Sequence, residues 1–425
     1  MKKTALQPVK GARDFVPSEF AKRKWLFTQM ITAAESFGFT QYDSPVLESI
    51  ETFRTKTSSE LVDEQSYRFT DRGGREITLR PEMTPVLARM IAGNESDLAF
   101  PVKWFSIPVL WRYEKPQSGR LREHFQWNVD IIGSSGALAD AEVIALMCSF
   151  LSKVGLGPDK IKVHINDRNL LNQIFATLKI EDHAGQLSKI IDRINKISEH
   201  DFIAQIEAET KIKGLGLKLI TLLNNPHTLE LNENILQVIK YLKDLGYKDY
   251  IQLDPKIVRG LDYYTSTIFE VFPTDFNSRA IAGGGCYDNL VGQFSSRNLL
   301  GVGFGMGDVV ISNLLEKYHL YPDSLSDKKT LLVCALSKEA ITKSIEISNS
   351  VRKSLPNLTV NLYPAVSQLR DVLAYGNTNN YDSLLIIGDK ELAEEKYTLR
   401  DLNAGHQTTG KKAEIIKLIK GLNKK

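Results

Sequence analysis

Apolar residues first recur at helical spacing along the chain and then alternate with polar ones. Between Lys22 and Phe37 they fall near one helical face, and Gly38 follows where a C-cap would stand, which predicts a long helix. The next segments, FTQYDSPVLE, EQSYRFT and REITLRPE, alternate as strands do, with polar turns between them. The run PVLARMIAG then predicts a helix.

Residues 101–133 contain two strand-like runs, VKWFSIPVLWRYE and HFQWNVDII, joined by the basic segment KPQSGRLRE. Gly119 lies where this connection must bend. The pattern predicts an antiparallel hairpin with a long, positively charged tip.

A second group of elements follows the hairpin. Asp140–Lys153 predicts a helix and IKVHIND a strand, whereas residues 169–250 show helical periodicity and predict an inserted unit that folds on its own. Strand patterns return at 257–271 and 281–290. The run GVGFGMG has a glycine at every second position, which lets a backbone or a ligand approach closely, and it precedes a helical run.

The last hundred residues have a different character. Tyr321–Lys329 is polar and rich in turn residues, which predicts a linker. Beyond it strand-like and helix-like runs alternate, and this order predicts a small parallel α/β domain.

Composition narrows the class of protein. With 425 residues the chain is too long for one ordinary core, and 42% hydrophobic with 25% charged residues is typical of globular proteins. The apolar runs are strand-length, well short of the roughly 20 residues of a membrane span, and the N-terminus lacks the apolar stretch of a secretory signal. We therefore expect a cytoplasmic protein. The basic excess behind the net charge of +3 lies in residues 328–425, which suggests a polyanionic partner there.

The sequence offers few conventional catalytic or metal motifs. Cys148, Cys286 and Cys334 are far apart and form no C-x-x-C pair, so we expect reduced thiols and neither a disulfide framework nor a zinc site. Walker A, H-E-x-x-H and G-x-S-x-G patterns are absent, and we expect no metal site built by the protein.

Polar residues line one face of the predicted hairpin. Strand alternation places Gln126, Asn128 and Asp130 together, opposite the apolar residues between them, and Arg112 and Glu114 share a face of the partner strand. A solvated sheet surface would also be polar. Amides and a short carboxylate, however, are more typical of a binding site than of a merely wet face.

Two further segments place charge where a core is expected. Arg259 opens the strand-like run VRGLDYYTSTIFEVF, and a buried guanidinium needs an anion. Either Asp262 or Glu270 could pair with it, or a phosphate ligand could. The segment LRPEMTP adds Arg80, Glu82 and Thr84, which could be part of the same site or simply a helix start capped by the threonine.

Nearly the whole chain resembles the histidyl-tRNA synthetases, a class II aminoacyl-tRNA synthetase family. The resemblance is carried by KGARDFVP near the start, by YDSPVLESIE as motif 1 with Pro45 in the dimer interface, by WRYEKPQSGRLREHFQ as motif 2, and by VRGLDYYTSTIFE and AGGGCYDNL as the two histidine-specific signatures. It implies an α+β catalytic domain with an antiparallel sheet over residues 1–322, a helical insertion at about 169–250, a C-terminal α/β anticodon-binding domain over 328–425, and a homodimer.

The resemblance also implies an activity, the ATP-dependent ligation of L-histidine to tRNA(His) through a histidyl-adenylate, with Mg²⁺ accompanying ATP. The implied catalytic residues are Arg112 and Arg259. Histidine would be bound by Glu82, Thr84, Arg112, Gln126, Asp130, Arg259, Tyr263 and Tyr264. ATP would be bound by Arg112, Glu114 and Arg259, and the tRNA acceptor end by Lys115, Gln117, Arg120 and Arg122.

The chain departs from the family pattern at two positions. Motif 3 usually ends in G-x-x-R, but here the run is GMGDVVI. Either some members of the family dispense with this arginine, or ATP is held differently here, or activity is reduced; Arg120, Arg279 or Arg297 could supply the missing charge. Cys286 stands where the second signature commonly has arginine.

Two other functions are compatible with the same fold. One is a synthetase-like regulatory subunit of histidine biosynthesis, of the ATP phosphoribosyltransferase regulatory type. Such paralogues typically lack the C-terminal domain and the arginine matching Arg259, and this chain has both. The other is a synthetase core recruited for RNA binding or stress sensing, which would not need the full set of pocket residues.

Overall fold

The computed structural model describes residues 6–54, 60–194, 197–225, 230–258, 264–275, 279–288, 291–295, 297–322, 325 and 329–422. The chain divides into two compact units, Met1–Tyr321 and Pro322–Lys425. Among the described residues, no helix combines the length and the apolar character needed to cross a membrane.

The larger unit is built on a nine-stranded sheet accompanied by a small three-stranded one. Its strands are β1 Thr40–Gln41, β2 Leu47–Ser49, β3 Tyr67–Thr70, β4 Glu76–Leu79, β5 Val102–Ser106, β6 Val109–Trp111, β7 Glu123–Ile132, β8 Ile161–Asp167, β9 Ile251–Leu253, β10 Tyr264–Pro273, β11 Ala282–Tyr287 and β12 Gly301–Gly307. Its helices are α1 Pro17–Ser36, α2 Glu51–Arg54, α3 Thr84–Gly93, α4 Ala137–Lys153, α5 Arg168–Leu178, α6 Ala184–Ile191, α7 Glu199–Thr210, α8 Leu215–Asn224, α9 Glu233–Asp244 and α10 Asp308–Lys317.

The large sheet runs in the order β1-β5-β7-β12-β11-β10-β8-β9, with β6 pairing to β7. All its pairs are antiparallel except β1 with β5 and β8 with β9. The three-stranded sheet has the order β2-β4-β3 and is antiparallel. The antiparallel sheet predicted within residues 1–322 is confirmed, with parallel pairs at its two edges.

The main core lies on one face of the large sheet. From β7, Trp127, Val129 and Ile131 point into it, and the Trp127 ring meets Phe150 of α4 edge to face at 5.0 Å. Helices α1, α4 and α9 cover this face. The alternate residues of β7 point to the opposite face, where α3 packs, so β7 is buried on both sides and its polar row lies inside the protein.

The helical region after β8 is divided between two clusters. Helices α5–α8 share a core of their own that includes Phe175 and Phe202. Helix α9, by contrast, places Ile235, Val238 and Leu242 in the main core against α4. The single inserted unit predicted over 169–250 therefore ends before α9, whose apolar stripe is matched to the sheet domain.

The smaller unit has strands β13 Thr330–Ala335, β14 Thr359–Leu362, β15 Ser383–Ile387, β16 Lys396–Asp401 and β17 Gln407–Lys411, and helices α11 Ala340–Ser354, α12 Leu369–Thr378, α13 Asp389–Glu394 and α14 Lys412–Leu422. The strand order is β14-β13-β15-β16-β17. The first three strands are parallel, as predicted, but β16 and β17 are antiparallel.

The predicted parallel arrangement is thus wrong at β16 and β17. Local turn chemistry explains why β17 runs antiparallel to β16. Asp401 Oδ1 accepts hydrogen bonds from the amides of Asn403 and Ala404, each at 2.8 Å. Gly405 adopts a positive φ of 76°. This Asx-type turn reverses the chain within five residues and leaves no room for a crossover helix.

Candidate active site

The polar row of β7 lies on the sheet face opposite the main core, as the alternation predicted. Asn128 and Asp130 are buried, and Gln126 is partly buried. β7 lies between β5 and the glycine-rich strand β12, with Asp130 opposite Gly303 and Asn128 opposite Gly305. The row therefore borders a strand that lacks side chains on this face.

The glycines of β12 make room for the polar side chains of its neighbours. A Cβ atom at Gly303 would overlap Asp130 Oδ1, and one at Gly305 would lie 2.9 Å from the Gln126 carboxamide. At Gly301 a Cβ would lie 2.6 Å from the Tyr287 ring. Because β12 presents no side chains here, residues of β7 and β11 can meet across it.

Tyr287 and Asp130 make that contact. The Tyr287 hydroxyl donates a 2.7 Å hydrogen bond to Asp130 Oδ1, and both residues are buried. Burial raises the pKa of Asp130 to about 7, although the hydrogen bond from Tyr287 opposes that rise. Burial, followed by the negative charge of Asp130, raises the pKa of Tyr287 well above its usual value. The site thus holds a carboxyl group whose pKa is near 7.

Tyr264 extends the same pocket. It begins β10 directly opposite Tyr287 in the register of β10 with β11. A Cβ at Gly285 would lie 3.0 Å from the Tyr264 ring, so a second glycine gives an aromatic ring its place. Arg259 and Tyr263 lie outside the described residues.

The segment before α3 is anchored to β6 and contacts Arg112 through the residue that precedes Glu82. Arg80 is buried, and its guanidinium donates to Val109 O at 3.0 Å, to Asp43 Oδ1 at 2.8 Å and to Ser44 O at 2.6 Å. Arg112 Nε donates to Pro81 O at 2.8 Å. Arg80 is therefore occupied by protein oxygens, whereas Arg112 is held beside the residue that precedes Glu82.

Thr84 lies at the first position of α3, after the N-cap residue Met83. Its side chain does not cap the helix, since α3 has no side-chain cap hydrogen bond. The alternative of a helix start capped by the threonine is therefore right about the start of α3 and wrong about the cap. The assignment of Glu82 and Thr84 to the site stays a prediction. Glu82 and Thr84 both remain partly accessible, whereas Met83 between them is buried.

A small cleft of about 110 Å³ lies next to Arg112. Its lining residues are Arg112, Glu114, Gly119, Arg120, Leu121, His124, Gly307, Val309 and Val310. Glu114 is buried and forms an ion pair with Arg120. Burial, and then the charges of Arg112, Arg13 and Arg120, lower the pKa of His124 to about 3. The cleft thus combines guanidinium groups with a neutral imidazole.

The basic residues of the hairpin tip differ in how accessible they are. A tight turn joins Gln117 and Arg120 through two backbone hydrogen bonds of 3.0 and 2.9 Å, and Lys115 and Gln117 are exposed. Arg122 points back into the protein, with Nε 3.1 Å from Glu114 O and its guanidinium 4.0 Å from the Tyr113 ring centroid. Lys115, Gln117 and Arg120 are accessible to a large ligand, but Arg122 is engaged internally.

Three arginines were considered as substitutes for the motif 3 arginine that GMGDVVI lacks, and they lie in different places in the structure. Arg120 lines the cleft. Arg279 Cδ lies 3.6 Å from a Cβ placed at Gly119, next to Val310. Arg297 pairs instead with Glu95 at 3.1 Å. The first two thus lie near the end of GMGDVVI, whereas Arg297 is engaged by an acidic residue.

Cys286 lies on the opposite face of β11 from Tyr287. Its Sγ donates to Asp140 Oδ1 at 2.9 Å, and Thr267 Oγ1 donates to the other oxygen at 2.6 Å. Burial raises the pKa of both Cys286 and Asp140. The departure at Cys286 therefore affects the packing of β11 against α4, not the lining of the pocket. Cys148, Cys286 and Cys334 are free thiols, as predicted.

Sequence reasoning did not single out Tyr287 or His124 as site residues. Tyr287 is in the run AGGGCYDNL, which the sequence places in a strand-like segment over 281–290 without indicating which strands lie beside it. His124 precedes the polar row by two residues and shares its parity, which was the available signal.

Known proteins match this chain along almost its full length. A family model described as histidyl-tRNA synthetase matches residues 11–307. The histidine–tRNA ligase of Leptospira biflexa is 38% identical, covering 98% of this chain and 98% of the relative. That of Thermoplasma volcanium is 36% identical over 95% of each. The crystal structure of histidyl-tRNA synthetase from Nostoc sp. PCC 7120 superimposes with a TM-score of 0.81 at 25% identity, covering 97% of this chain and 98% of that one. The chain belongs to the histidyl-tRNA synthetase family.

Proposed function

We propose that this protein ligates L-histidine to tRNA(His) in two steps, with ATP consumed in the first. The observation that supports this most directly is the pair of adjoining sites on β7. A buried, titratable Asp130 under Tyr287 lies at one end, and a cleft with Arg112, Glu114 and Arg120 lies at the other. One site suits an amino acid with a polar ring and the other a nucleotide phosphate.

The amino-acid pocket is proposed to recognise histidine through Asp130. A ring N–H of the substrate donates to the Asp130 carboxylate, and Gln126 and Tyr264 bound the same space. The α-amino group of the substrate binds Glu82 and Thr84 at the start of α3. Tyr263, in the segment just before β10, completes the aromatic side.

The first reaction forms histidyl-adenylate. The substrate carboxylate oxygen attacks the α-phosphorus of ATP, and pyrophosphate leaves with the electrons of the broken P–O bond. Arg112 and Arg259 bind the histidine carboxylate and the α-phosphate, so that the attacking oxygen and phosphorus are held in line. Charge grows on the phosphoryl oxygens, and preaimed guanidinium groups stabilise it. ATP enters as its Mg²⁺ complex, and the cation neutralises part of the remaining charge.

Glu114 is proposed to lie near the adenine. Its carboxylate is buried and paired with Arg120, so an adenine amino group would have to share that acceptor. The alternative, in which Arg120 turns toward the phosphates when ATP binds, leaves Glu114 free to accept from the base. Arg120 is well placed for this since its guanidinium is the more exposed partner.

The second step transfers the histidyl group to the tRNA, whose acceptor end is proposed to contact the hairpin tip. Lys115, Gln117 and Arg120 supply this surface, and their exposure supports the role. Arg122, assigned to the same contact by resemblance, is proposed instead to stiffen the loop because its side chain is engaged with Glu114 O and Tyr113. Residues 328–425 are proposed to bind the anticodon, in keeping with their basic excess.

A class II homodimer in the cytoplasm is proposed, with the three-stranded sheet at its interface. Leu47 of β2 and Phe69 of β3 lie on the same face of this sheet, and both are exposed, as is Val46 beside Pro45. Exposed apolar side chains on one sheet face are typical of an interface.

Aminoacylation of a tRNA(His) transcript tests this function. We expect transfer of labelled histidine to the transcript, and a strong loss of it in Asp130→Asn. A transcript with another anticodon and acceptor stem is the control. Failure of the purified protein to charge tRNA(His) while it remains folded would refute the proposed function.

A further inference from the structure

The segment from Gly11 to Phe15 lies against the beginning of β7. The carbonyl of Gly11 accepts two hydrogen bonds, from the amides of Arg122 and Glu123, both 3.0 Å long. Gly11 has a positive φ of 86°, and a Cβ there would lie 2.8 Å from Arg122 Cγ. Position 11 thus requires glycine for its backbone conformation and for its contact.

Arg13 connects this segment to α10. Its Nη2 forms a 2.7 Å ion pair with Asp308 Oδ2, while Asp308 Oδ1 accepts from the Phe125 amide at 2.9 Å. Asp308 is buried and is the first residue of α10. One carboxylate therefore joins the N-terminal segment, the beginning of β7 and the N-terminus of α10.

Both contacts lead directly to the nucleotide cleft. Arg122, whose amide is held by Gly11, returns its carbonyl to the amide of Arg112 at 2.8 Å. Its Nε reaches the carbonyl of Glu114. On the other side, Val309 and Val310 line the cleft immediately after Asp308. One wall of the cleft, with Arg112 and Glu114, is hydrogen-bonded to Arg122, which Gly11 contacts. The other wall, with Val309 and Val310, directly follows Asp308, which Arg13 contacts.

The segment is itself held on α1. The guanidinium of Arg23 lies 4.0 Å from the centroid of the Phe15 ring and 4.8 Å from that of Phe125. Arg13 lies 5.0 Å from the Phe15 centroid. A guanidinium over an aromatic ring is attracted to the negative face of that ring. Phe15 thus lies between Arg13 of the segment and Arg23 of α1.

We propose that residues 11–15 form a strap that positions the two walls of the nucleotide cleft, with Arg13 and Gly11 as positioning residues for ATP. This rests on the proposed function, because it assigns the cleft to ATP. Neither residue lines the cleft; each acts through Asp308 or Arg122. The Asp130–Tyr287 part of the histidine pocket lies further along β7, against β11 and β12, away from the contacts of Gly11 and Arg13.

Substitution of Arg13 separates positioning from folding. Arg13→Met removes the cation from a buried carboxylate and should lower the melting temperature. In Arg13→Met with Asp308→Asn the buried pair becomes neutral, and the asparagine oxygen can still accept from the Phe125 amide. We expect the double variant to recover most of the melting temperature. The strap stays disconnected in it, so the KM for ATP should remain about tenfold above that of the unsubstituted protein, with the KM for histidine within about twofold.

Lys22→Met is the matched control. Lys22 pairs with Glu316 at 2.9 Å, so it too joins the N-terminal region to α10, but at an exposed position near the far end of that helix. We expect it to change neither KM. ATP–pyrophosphate exchange at varied ATP and histidine concentrations gives the KM for each substrate in every variant and in the unsubstituted protein, and thermal melting gives the stability.

Three results can be told apart. A KM for ATP that returns to normal with the melting temperature in the double variant would overturn the strap and leave Arg13 a structural residue. An Arg13→Met protein with a lower melting temperature and an unchanged KM for ATP would do the same. Absence of exchange in the unsubstituted protein would instead count against the proposed function.

Discussion

Replacing Asp130 by asparagine should stabilise the folded protein more as the pH rises. The pKa of Asp130 is about 7 in the folded chain because the carboxyl is buried, against an ordinary value of 3.8. At pH values between 3.8 and about 7, Asp130 has lost its proton in the unfolded chain but keeps it in the folded chain. Since stability falls with pH wherever the folded state binds more protons, Asp130 contributes full stability below about pH 4 and loses it as the pH rises through 7.

The magnitude follows from the two pKa values. At about 1.4 kcal/mol for each tenfold change in proton affinity, their separation is worth about 4 kcal/mol above pH 7 and between about 1.5 and 2 kcal/mol at pH 5. Asparagine cannot titrate, but its oxygen can still accept the hydrogen bond from Tyr287. The free energy of unfolding of Asp130→Asn relative to the unsubstituted protein should therefore rise by about 2.5 kcal/mol between pH 5 and pH 8.

Urea unfolding of the two proteins at pH 5, 6, 7 and 8 measures this difference directly. Other titrating groups are common to both and cancel. Tyr287→Phe is a companion variant: it removes the donor that opposes the rise, so the pKa of Asp130 should increase further and the loss of stability should extend to higher pH. Parallel stability curves for Asp130→Asn and the unsubstituted protein would refute the assignment of a raised pKa.

Three more predictions concern the rest of the site. Arg112→Ala should reduce the rate of histidine-dependent pyrophosphate exchange by about 10² to 10³, because it removes a donor aimed at the phosphate. The free energy of unfolding should change by less than about 1.5 kcal/mol, because only one internal hydrogen bond of Arg112 is lost. An unaltered exchange rate would contradict the role of Arg112. His124→Gln should gain stability relative to the unsubstituted protein as the pH falls from 6.5 to 5, by about 1.5 kcal/mol, because the unfolded chain binds a proton there and the neutral His124 of the folded chain does not. Urea unfolding at both pH values checks this, and a loss of relative stability at acid pH would contradict it. Gly303→Ala should destabilise the protein by about 1–3 kcal/mol and raise the KM for histidine, since its Cβ would overlap Asp130. The control Gly307→Ala, on the same strand, places its Cβ in open space and should leave the stability unchanged. Thermal melting measures both, and equal melting temperatures for the two variants would contradict the steric argument.

Alternation along one strand was enough to predict the polar row. In HFQWNVDII every second residue is polar, and the structure places that row on one face of β7. The glycines of GVGFGMG predicted a close approach, and they accommodate Gln126 and Asp130. Signals of this kind are local, because a strand has a period of two residues whatever its neighbours are.

Contacts between distant strands could not be predicted in the same way. Tyr287 meets Asp130 across 157 residues of sequence, and only because β12 lies between β7 and β11. From the sequence, Arg80 and Arg112 looked equally available to bind a ligand, but in the structure the Arg80 guanidinium donates its hydrogen bonds to Asp43, Ser44 and Val109. Strand order and side-chain partners depend on tertiary packing, which local patterns do not contain.

Two departures from the predicted fold have causes that sequence patterns do not reveal, one in a local turn and one in tertiary packing. The β16–β17 hairpin depends on the turn around Asp401 and Gly405, within a polar segment whose alternation is weak. Helix α9 resembles its neighbours in periodicity, yet its apolar stripe packs on α4. Periodicity shows that a face is buried and does not show against which partner.

Histidine-dependent ATP–pyrophosphate exchange tests the central claim most directly, because it needs the amino-acid pocket and the nucleotide cleft together and does not need tRNA. We expect robust exchange with histidine and none with the other amino acids, despite the absence of arginine from GMGDVVI. A folded, dimeric protein that shows no exchange with histidine, or that exchanges with another amino acid, would contradict the account.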